Sequence, residues 1–469
     1  MGKTALVLSG GGLAGAVYHI GAMRALNDAL LDRSVNDFDL YVGTSAGAVI
    51  ASCLANGIGT KDLLRSVSGQ AGYVNLHRAD VFMPNYKEFA AKLVGLPLIT
   101  ASAILHAVRH VGDMDFFDFG ALFADALPSG FFDSSATARY LHRVFECIGA
   151  TDNFRELRKD LVCVATDLDN GERAVFGTGH NDRVPISMAA AASAAVPVLY
   201  TPISINGRDY IDGGLRGTAS IDVAIEAGCD LIICVNPLVP FDNTSQDIPK
   251  LGPNARSVRD KGFSAIINQI TRISLHAGLQ YHLKQLRRAH PEVDIIQIQP
   301  KRTDARMFFN NPMRFSSRML IARHGYESVI VELDESHDKN KEILAKHGLS
   351  VRRSLVREQL RLIKRAAYDP RVISKVLQLR TRGPLMVGHR DERWDQLAST
   401  LELLDREVAY RHSETNGNGD KPVAAVANGG VSRAGAPRNR VAKKRPRNRR
   451  SGAPARPARA PRPPQAKAS

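Results

Sequence analysis

Three observations predict an α/β fold, a three-layer α/β/α sandwich around a mostly parallel central sheet. Short apolar, partly β-branched runs alternate along the chain with segments of helical apolar spacing. Two of those runs end in glycine-dense turns that open straight into helices. Hydrophobic residues make up 44% and charged residues 23%, enough to bury a large core, so a wholly disordered chain is excluded.

The elements follow in order. Residues 4–8 (TALVL) form the first strand and end at Ser9 and three glycines, and from Ala16 the spacing turns helical through Ile20, Met23, Leu26 and Leu30. Asp39 to Val42 form a short second strand leading into Gly43-Thr44-Ser45-Ala46-Gly47. A small-residue helix, Ala48 to Ala55, follows and stops at Asn56-Gly57. Further buried strands are read at Leu161 to Ala165, Asp230 to Val235 and Val293 to Ile298, with helices at Ser187 to Val196 and Thr218 to Ala227.

The domain organisation expected is a main α/β body over 1–300, a helical C-terminal extension over 301–412 and a basic tail over 413–469. Within the body, 61–133 reads as an inserted cap, because 8 of the 17 phenylalanines crowd there without alternation: Phe82, Phe89, Phe116, Phe117, Phe119, Phe123, Phe131 and Phe132. In the extension, Asp369-Pro370 and Arg382-Gly383-Pro384 are the expected breaks. The net charge of +16 is concentrated at the end: residues 413–469 hold 14 Lys/Arg against Glu414 and Asp420, leaving 49 basic and 45 acidic residues, or +4, for the rest. That segment has 8 of the 23 prolines and no Leu, Ile, Phe, Tyr or Trp, so it cannot bury enough to offset chain entropy and is read as disordered.

Five cysteines without ligand spacing support neither a disulfide framework nor a zinc site, and suit a reducing compartment. The four-residue run Ala5 to Leu8 is too short for a secretory signal core. Leu93 to Val108 is too short to span lipid and reads as a buried or interfacial helix. A cytoplasmic protein with peripheral membrane contact is the expectation.

Gly43-Thr44-Ser45-Ala46-Gly47 matches G-x-S-x-G, whose glycines allow a strained strand-to-helix turn that presents a serine hydroxyl at a helix N-terminus. The plain alternative is a turn with Ser45 as N-cap. Gly10-Gly11-Gly12-Leu13-Ala14-Gly15 admits two readings. Gly10, Gly12 and Gly15 fit the dinucleotide fingerprint, but Asp37 and Asp39 precede the second strand instead of closing it, so the ribose contact has no owner. Alternatively, consecutive amides of this turn bind a developing oxyanion. Asp212-Gly213-Gly214 lets the backbone turn at a strand end so that a carboxylate points into a site; a turn aspartate bonding its own backbone is the bland alternative.

Together, Gly10 to Gly15, Gly43 to Gly47 and Asp212 to Gly214, with Ala-Ser-Ala-Ala-Val-Pro at 192–197, resemble the blocks of the patatin-like phospholipase family over about residues 3–240. The resemblance implies a patatin-like fold and a lipid acyl hydrolase with an acyl-serine intermediate. It implies Ser45 as nucleophile and Asp212 as base in a dyad, with Gly10, Gly11 and Gly12 as oxyanion hole. Gly15, Gly43, Gly47, Gly213 and Gly214 flank the motifs. No metal or organic cofactor is implied, and the partners expected are a long-chain ester and an anionic membrane surface. Ala14 departs from the family, where many relatives carry Arg or Lys. A Ser-Asp-His triad is the mechanistic competitor, with His19, His276, His282 and His290 as candidate imidazoles.

The phenylalanine-rich insertion and Leu93 to Val108 are candidates for an acyl groove, against a self-packed cap. Val356, Leu360, Ile363 and Ala367 line one face of a helix whose other faces carry Arg353, Arg357, Arg361, Lys364 and Arg365. An ordinary packed helix is preferred there over one lying on anionic lipid. The tail core, Lys443 to Arg450, suits nonspecific polyanion binding without base readout. The alternative function is accordingly a weakly catalytic or noncatalytic scaffold acting through its tail.

Overall fold

The computed structural model describes residues 2–31, 33–69, 76–94, 127–177, 179–244, 257–303, 308, 314–335 and 337–378. The tail, the Arg382-Gly383-Pro384 break, most of Leu93 to Val108 and the phenylalanines at 116, 117, 119 and 123 lie outside them.

The central sheet has eight strands in the order β10-β9-β1-β2-β4-β8-β7, with β5 paired to β4. β1 (Lys3–Leu8), β2 (Leu40–Thr44), β4 (Asp160–Asp167), β9 (Cys229–Val235) and β10 (Asp294–Ile298) run parallel, as the alternating pattern predicts. The strands read from the sequence fall inside these, apart from single residues at their ends. β5 (Arg173–Gly177), β7 (Ile203–Ile205) and β8 (Arg208–Asp212) add an antiparallel edge that the sequence reading lacks. Its local cause is Asn206-Gly207, where both residues take positive φ (53° and 79°). That conformation suits a two-residue turn matching the twist of a β-hairpin. A separate parallel pair joins β3 (Gly130–Phe132) to β6 (Val198–Tyr200).

Side chains alternate across the sheet and are buried on both faces. On one face Leu6, Leu8, Tyr41, Leu231 and Ile233 join the larger core. On the other, Ala5, Val7, Val42, Ile232 and Cys234 join a second core. The first face is covered by α1 (Gly12–Ala29), α2 (Ala46–Ala55), α3 (Thr60–Ser68), α4 (Ser135–Ile148) and α5 (Ile186–Ser193). The second is covered by α6 (Ile221–Glu226) and α7 (Phe263–Ala289). α1 and α2 begin at Gly12 and Ala46, earlier than the apolar spacing predicts, because the glycine turns themselves form the first helical turn.

Among the described residues beyond 300 lie the helices α8 (Phe315–Glu335), α9 (His337–Lys346), α10 (Ser354–Arg365) and α11 (Pro370–Gln378). They share the larger core: Met319, Ile321, Val356, Ile363, Ile373 and Leu377 are buried with α1. The interior there also holds a polar network. Arg24 pairs with Asp28, the Tyr326 hydroxyl lies 2.9 Å from Asp28 Oδ2 and 2.5 Å from Gln359 Oε1, and Arg24 Nε donates to the Leu377 carbonyl at 2.6 Å. The Val356, Leu360 and Ile363 stripe is therefore packed, and Arg353 and Arg357 pair with Asp334; Ala367 is exposed. Asp369-Pro370 does break the helices, Asp369 capping α11 by accepting from Arg371 N at 2.7 Å while Pro370 occupies its first position. Of 61–133, α3 packs into the same core, and Leu93 and Val94 are 70% and 82% exposed. No helix among the described residues is long and apolar enough to cross a membrane.

Candidate active site

Ser45 sits between β2 and α2 at φ 55°, ψ −128°, a backbone conformation that costs a residue with a Cβ roughly 1–3 kcal/mol. The turn closes only because its glycines are bare: a Cβ on Gly47 would lie 2.1 Å from the Leu8 carbonyl oxygen, and one on Gly43 would lie 2.3 Å from Ala48 Cα. The sheet order then brings the distant loop home. β2 neighbours β4, and β4 pairs antiparallel with β8 at Ala165↔Asp212. Asp212 thus ends its strand beside Ser45.

Ser45 Oγ donates to Asp212 Oδ2 at 2.5 Å, and the backbone amide of Gly214 donates to Oδ1 at 2.7 Å. Both side chains are buried, Ser45 at 3% and Asp212 at 7% exposure. Burial pushes the Asp212 carboxyl up to about 6, against the lowering effect of its bonds from Ser45 and Gly214. Such a carboxylate is poised to accept a hydroxyl proton near neutral pH.

The sequence reading missed Ser193, which ties the elbow to the sheet. Its hydroxyl accepts from Ser45 N at 2.8 Å and donates to the Val164 carbonyl at 2.5 Å, while the next turn's Ala195 carbonyl accepts from Asp212 N at 2.9 Å. The signal was the Ala-rich block at 192–197, in which one buried hydroxyl among alanines needs a polar partner. Ser193→Ala strands the Val164 carbonyl and the Ser45 amide. The expected result is a loss of about 1–3 kcal/mol in chemical denaturation and about a tenfold fall in kcat, as the serine loses its fixed backbone. Wild-type stability in that variant would remove Ser193 from the account.

The glycine turn approaches from β1, with a Cβ on Gly10 3.3 Å from Ser45 Cβ and 3.8 Å from its Oγ. The Gly10 amide itself donates to the Thr218 carbonyl at 3.3 Å. The amides of Gly11 and Gly12, at the N-terminus of α1, make no hydrogen bond among the described residues. Gly15 donates back to the Gly11 carbonyl at 2.9 Å, closing the turn.

No histidine among the described residues hydrogen-bonds Ser45 or Asp212. His19 is fully buried with Nε2 2.8 Å from the Ser9 carbonyl, and burial pushes its pKa down to about 4. His276 and His282 lie on α7, and His290 caps its end. Burial lowers His276, which contacts the backbone of Leu238.

Ser45 opens into a cavity of about 220 Å3. Gly12 and Ala16 of α1, Val49 and Cys53 of α2, and Phe82 and Tyr200 are among its lining residues. Phe82 packs edge-on against Phe132 at 5.1 Å, so this part of the phenylalanine-rich segment borders the cavity. Ser45, Val49 and Cys53 recur at four-residue spacing, one face of α2, so the apolar wall runs about 12 Å away from the hydroxyl.

A mostly parallel α/β sheet presenting a serine on a strand-to-helix elbow, beside an apolar cavity, defines the class of α/β proteins with a serine-elbow site. More particularly, residues 6–225 match the family model described as patatin-like phospholipase. Among curated proteins, the probable lipid hydrolase 463L of Invertebrate iridescent virus 6 is 24% identical over 221 residues, 47% of this chain and 63% of that protein. The match spans less than two thirds of that relative's length. Among solved structures, VipD from Legionella pneumophila is 16% identical with a TM-score of 0.33, covering 71% of this chain and 67% of its own. The type III effector ExoU is 14% identical with a TM-score of 0.28, covering 90% and 67% respectively.

Proposed function

We propose that this protein is a lipid acyl hydrolase working through a Ser45-Asp212 dyad. Asp212 takes the Ser45 proton as Oγ attacks the ester carbonyl, and the amides of Gly11 and Gly12 hold the resulting oxyanion. Collapse breaks the ester C–O bond. The leaving alkoxide takes the proton from Asp212 and departs as an alcohol, leaving acyl-Ser45. Asp212 then deprotonates water, which attacks the acyl carbon, and the serine recovers its proton as the carboxylic acid leaves. The Gly10 amide is spent on Thr218, so its part is to shape the turn.

The observation that carries this reading is the 2.5 Å contact between a strained serine and a desolvated carboxylate at the mouth of an apolar cavity. The match of residues 6–225 to the patatin-like phospholipase model and a similar protein named for lipid hydrolysis support it. Labelling with a fluorophosphonate ester and mapping the adduct tests it directly. Modification of Ser45 is expected; an unlabelled Ser45 in folded protein refutes the proposal.

On this reading the acyl chain runs along α2, whose Val49 and Cys53 line the cavity. Filling it by Val49→Trp, one helical turn from Ser45, is expected to lower kcat/KM for p-nitrophenyl esters of long acids about tenfold or more. The acetate ester should stay within about twofold, because its chain ends before position 49. Equal losses on both esters would place the chain elsewhere.

A further inference from the structure

We propose that Arg272 is a positioning residue for the oxyanion turn, acting through the loop after β9; the inference rests on the dyad reading above. Arg272 lies on α7, outside the residues matched to the family model, and its side chain is 6% exposed. Its Nη1 donates to the carbonyls of Pro237 at 3.2 Å and Val239 at 3.3 Å. Nε donates to Asn268 Oδ1 at 2.6 Å, and the guanidinium lies 4.5 Å from the Phe308 ring centroid, with Phe308 against Phe241. No carboxylate pairs with it among the described residues. A buried cation held only by carbonyls, an amide and a ring carries a desolvation cost, and burial pushes its pKa down to about 10.

The loop it holds is the wall behind the glycine turn. A Cβ on Gly11 would lie 2.8 Å from Pro237 Cγ, one on Gly15 3.3 Å from the same atom, and one on Gly10 3.7 Å from Leu238 Cδ1. Asn236 fastens the same loop to the turn, accepting from Ser9 Oγ at 3.0 Å and from Leu238 N at 3.0 Å. Ser9 N donates to the Val235 carbonyl at 3.1 Å. Arg272 thus fixes two carbonyls flanking Leu238, the loop presses Pro237 onto Gly11 and Gly15, and the Gly11 and Gly12 amides keep their aim.

Arg272→Met keeps the volume and removes the donors. A shift in donor aim should cost about 10–100-fold in kcat with KM within about threefold, because the oxyanion exists only after attack. Two inhibitors separate this from general loosening. A trifluoromethyl ketone, which forms an anionic adduct with Ser45, should lose affinity in parallel with kcat/KM, while a neutral alcohol of equal chain length should bind unchanged. Arg272→Lys, which keeps donors for the carbonyls, should recover most of kcat. If Arg272→Met fails to fold, Pro237→Ala removes the ring that touches the turn and should give the same pattern. A folded variant with wild-type kcat, or with equal losses for both inhibitors, overturns the inference. Absence of Ser45-dependent turnover in the wild type sinks the dyad reading and this inference with it; Ser45-dependent turnover indifferent to both substitutions sinks this inference alone.

Discussion

Ser45→Ala is expected to lose ester cleavage by at least about three orders of magnitude in kcat while keeping the fold. The loss is complete in kind because in the proposed mechanism the hydroxyl is the atom that becomes acylated, and no other described side chain donates to Asp212 Oδ2. Folding survives because the turn is held from its backbone: the Ser45 amide is fixed by Ser193, and Ala48 N donates to the Ser45 carbonyl at 2.9 Å. The substitution also removes one of the two bonds that lower the Asp212 pKa, so that carboxyl should rise above about 6. A second variant separates chemistry from strain. At φ 55°, ψ −128°, alanine keeps the conformational cost that serine carries, whereas glycine escapes it and gives back about 0.5–1 kcal/mol of chain entropy. Ser45→Gly should therefore be as inactive as Ser45→Ala yet more stable by about 1 kcal/mol in urea unfolding. Measurable turnover in a clean Ser45→Ala preparation would end the dyad account.

Much of this site was legible because its chemistry needs glycine. Close approach at Gly11, Gly43 and Gly47 and the positive φ of 57° at Gly12 favour a backbone without side chains, so the motifs stand out as dense glycine blocks. The strands at Leu161 to Ala165 and Asp230 to Val235 were legible because both faces of the sheet are buried, which leaves unbroken apolar runs. Other parts are not written locally. Ser193 looks like filler in an alanine helix, and only the fold puts it under the Ser45 amide. The Asn206-Gly207 turn is local, but its consequence, that β8 lies antiparallel to β4 and delivers Asp212, depends on Ala165 pairing with Asp212 across a long stretch of chain. The polar charge of α1 is equally silent: Arg24 and Asp28 look like a solvent-facing pair four residues apart until α8, α10 and α11 bury them. Arg272 is another case, a basic residue in an exposed-looking helix whose partners are carbonyls from a loop 33 and 35 positions away.

Asp212→Asn is expected to trade activity for stability, with both effects set by one proton. In the wild type, kcat/KM should rise with pH as Asp212 ionises, with a midpoint of about 6, because only the carboxylate can accept the serine proton. The asparagine variant has no such base and should fall by at least about three orders of magnitude at every pH. Its stability should move the other way. The folded Asp212 pKa is raised from the ordinary 3.8 to about 6, so the unfolded chain gives up this proton more readily. The carboxyl's favourable contribution is complete below about 4 and disappears as pH climbs through 6, leaving a buried anion with two hydrogen bonds and no cation. Asparagine is free of that charge and can still accept from Gly214 through its amide oxygen. At pH 8 the variant should be more stable than the wild type by up to about 3 kcal/mol, the free energy of two pKa units, and the gap should close near pH 4. Parallel unfolding curves at both values, read beside the rate profile, make the test. A variant that is less stable at pH 8, or a wild-type rate flat between pH 5 and 7, would remove Asp212 as the base whatever its distance from Ser45.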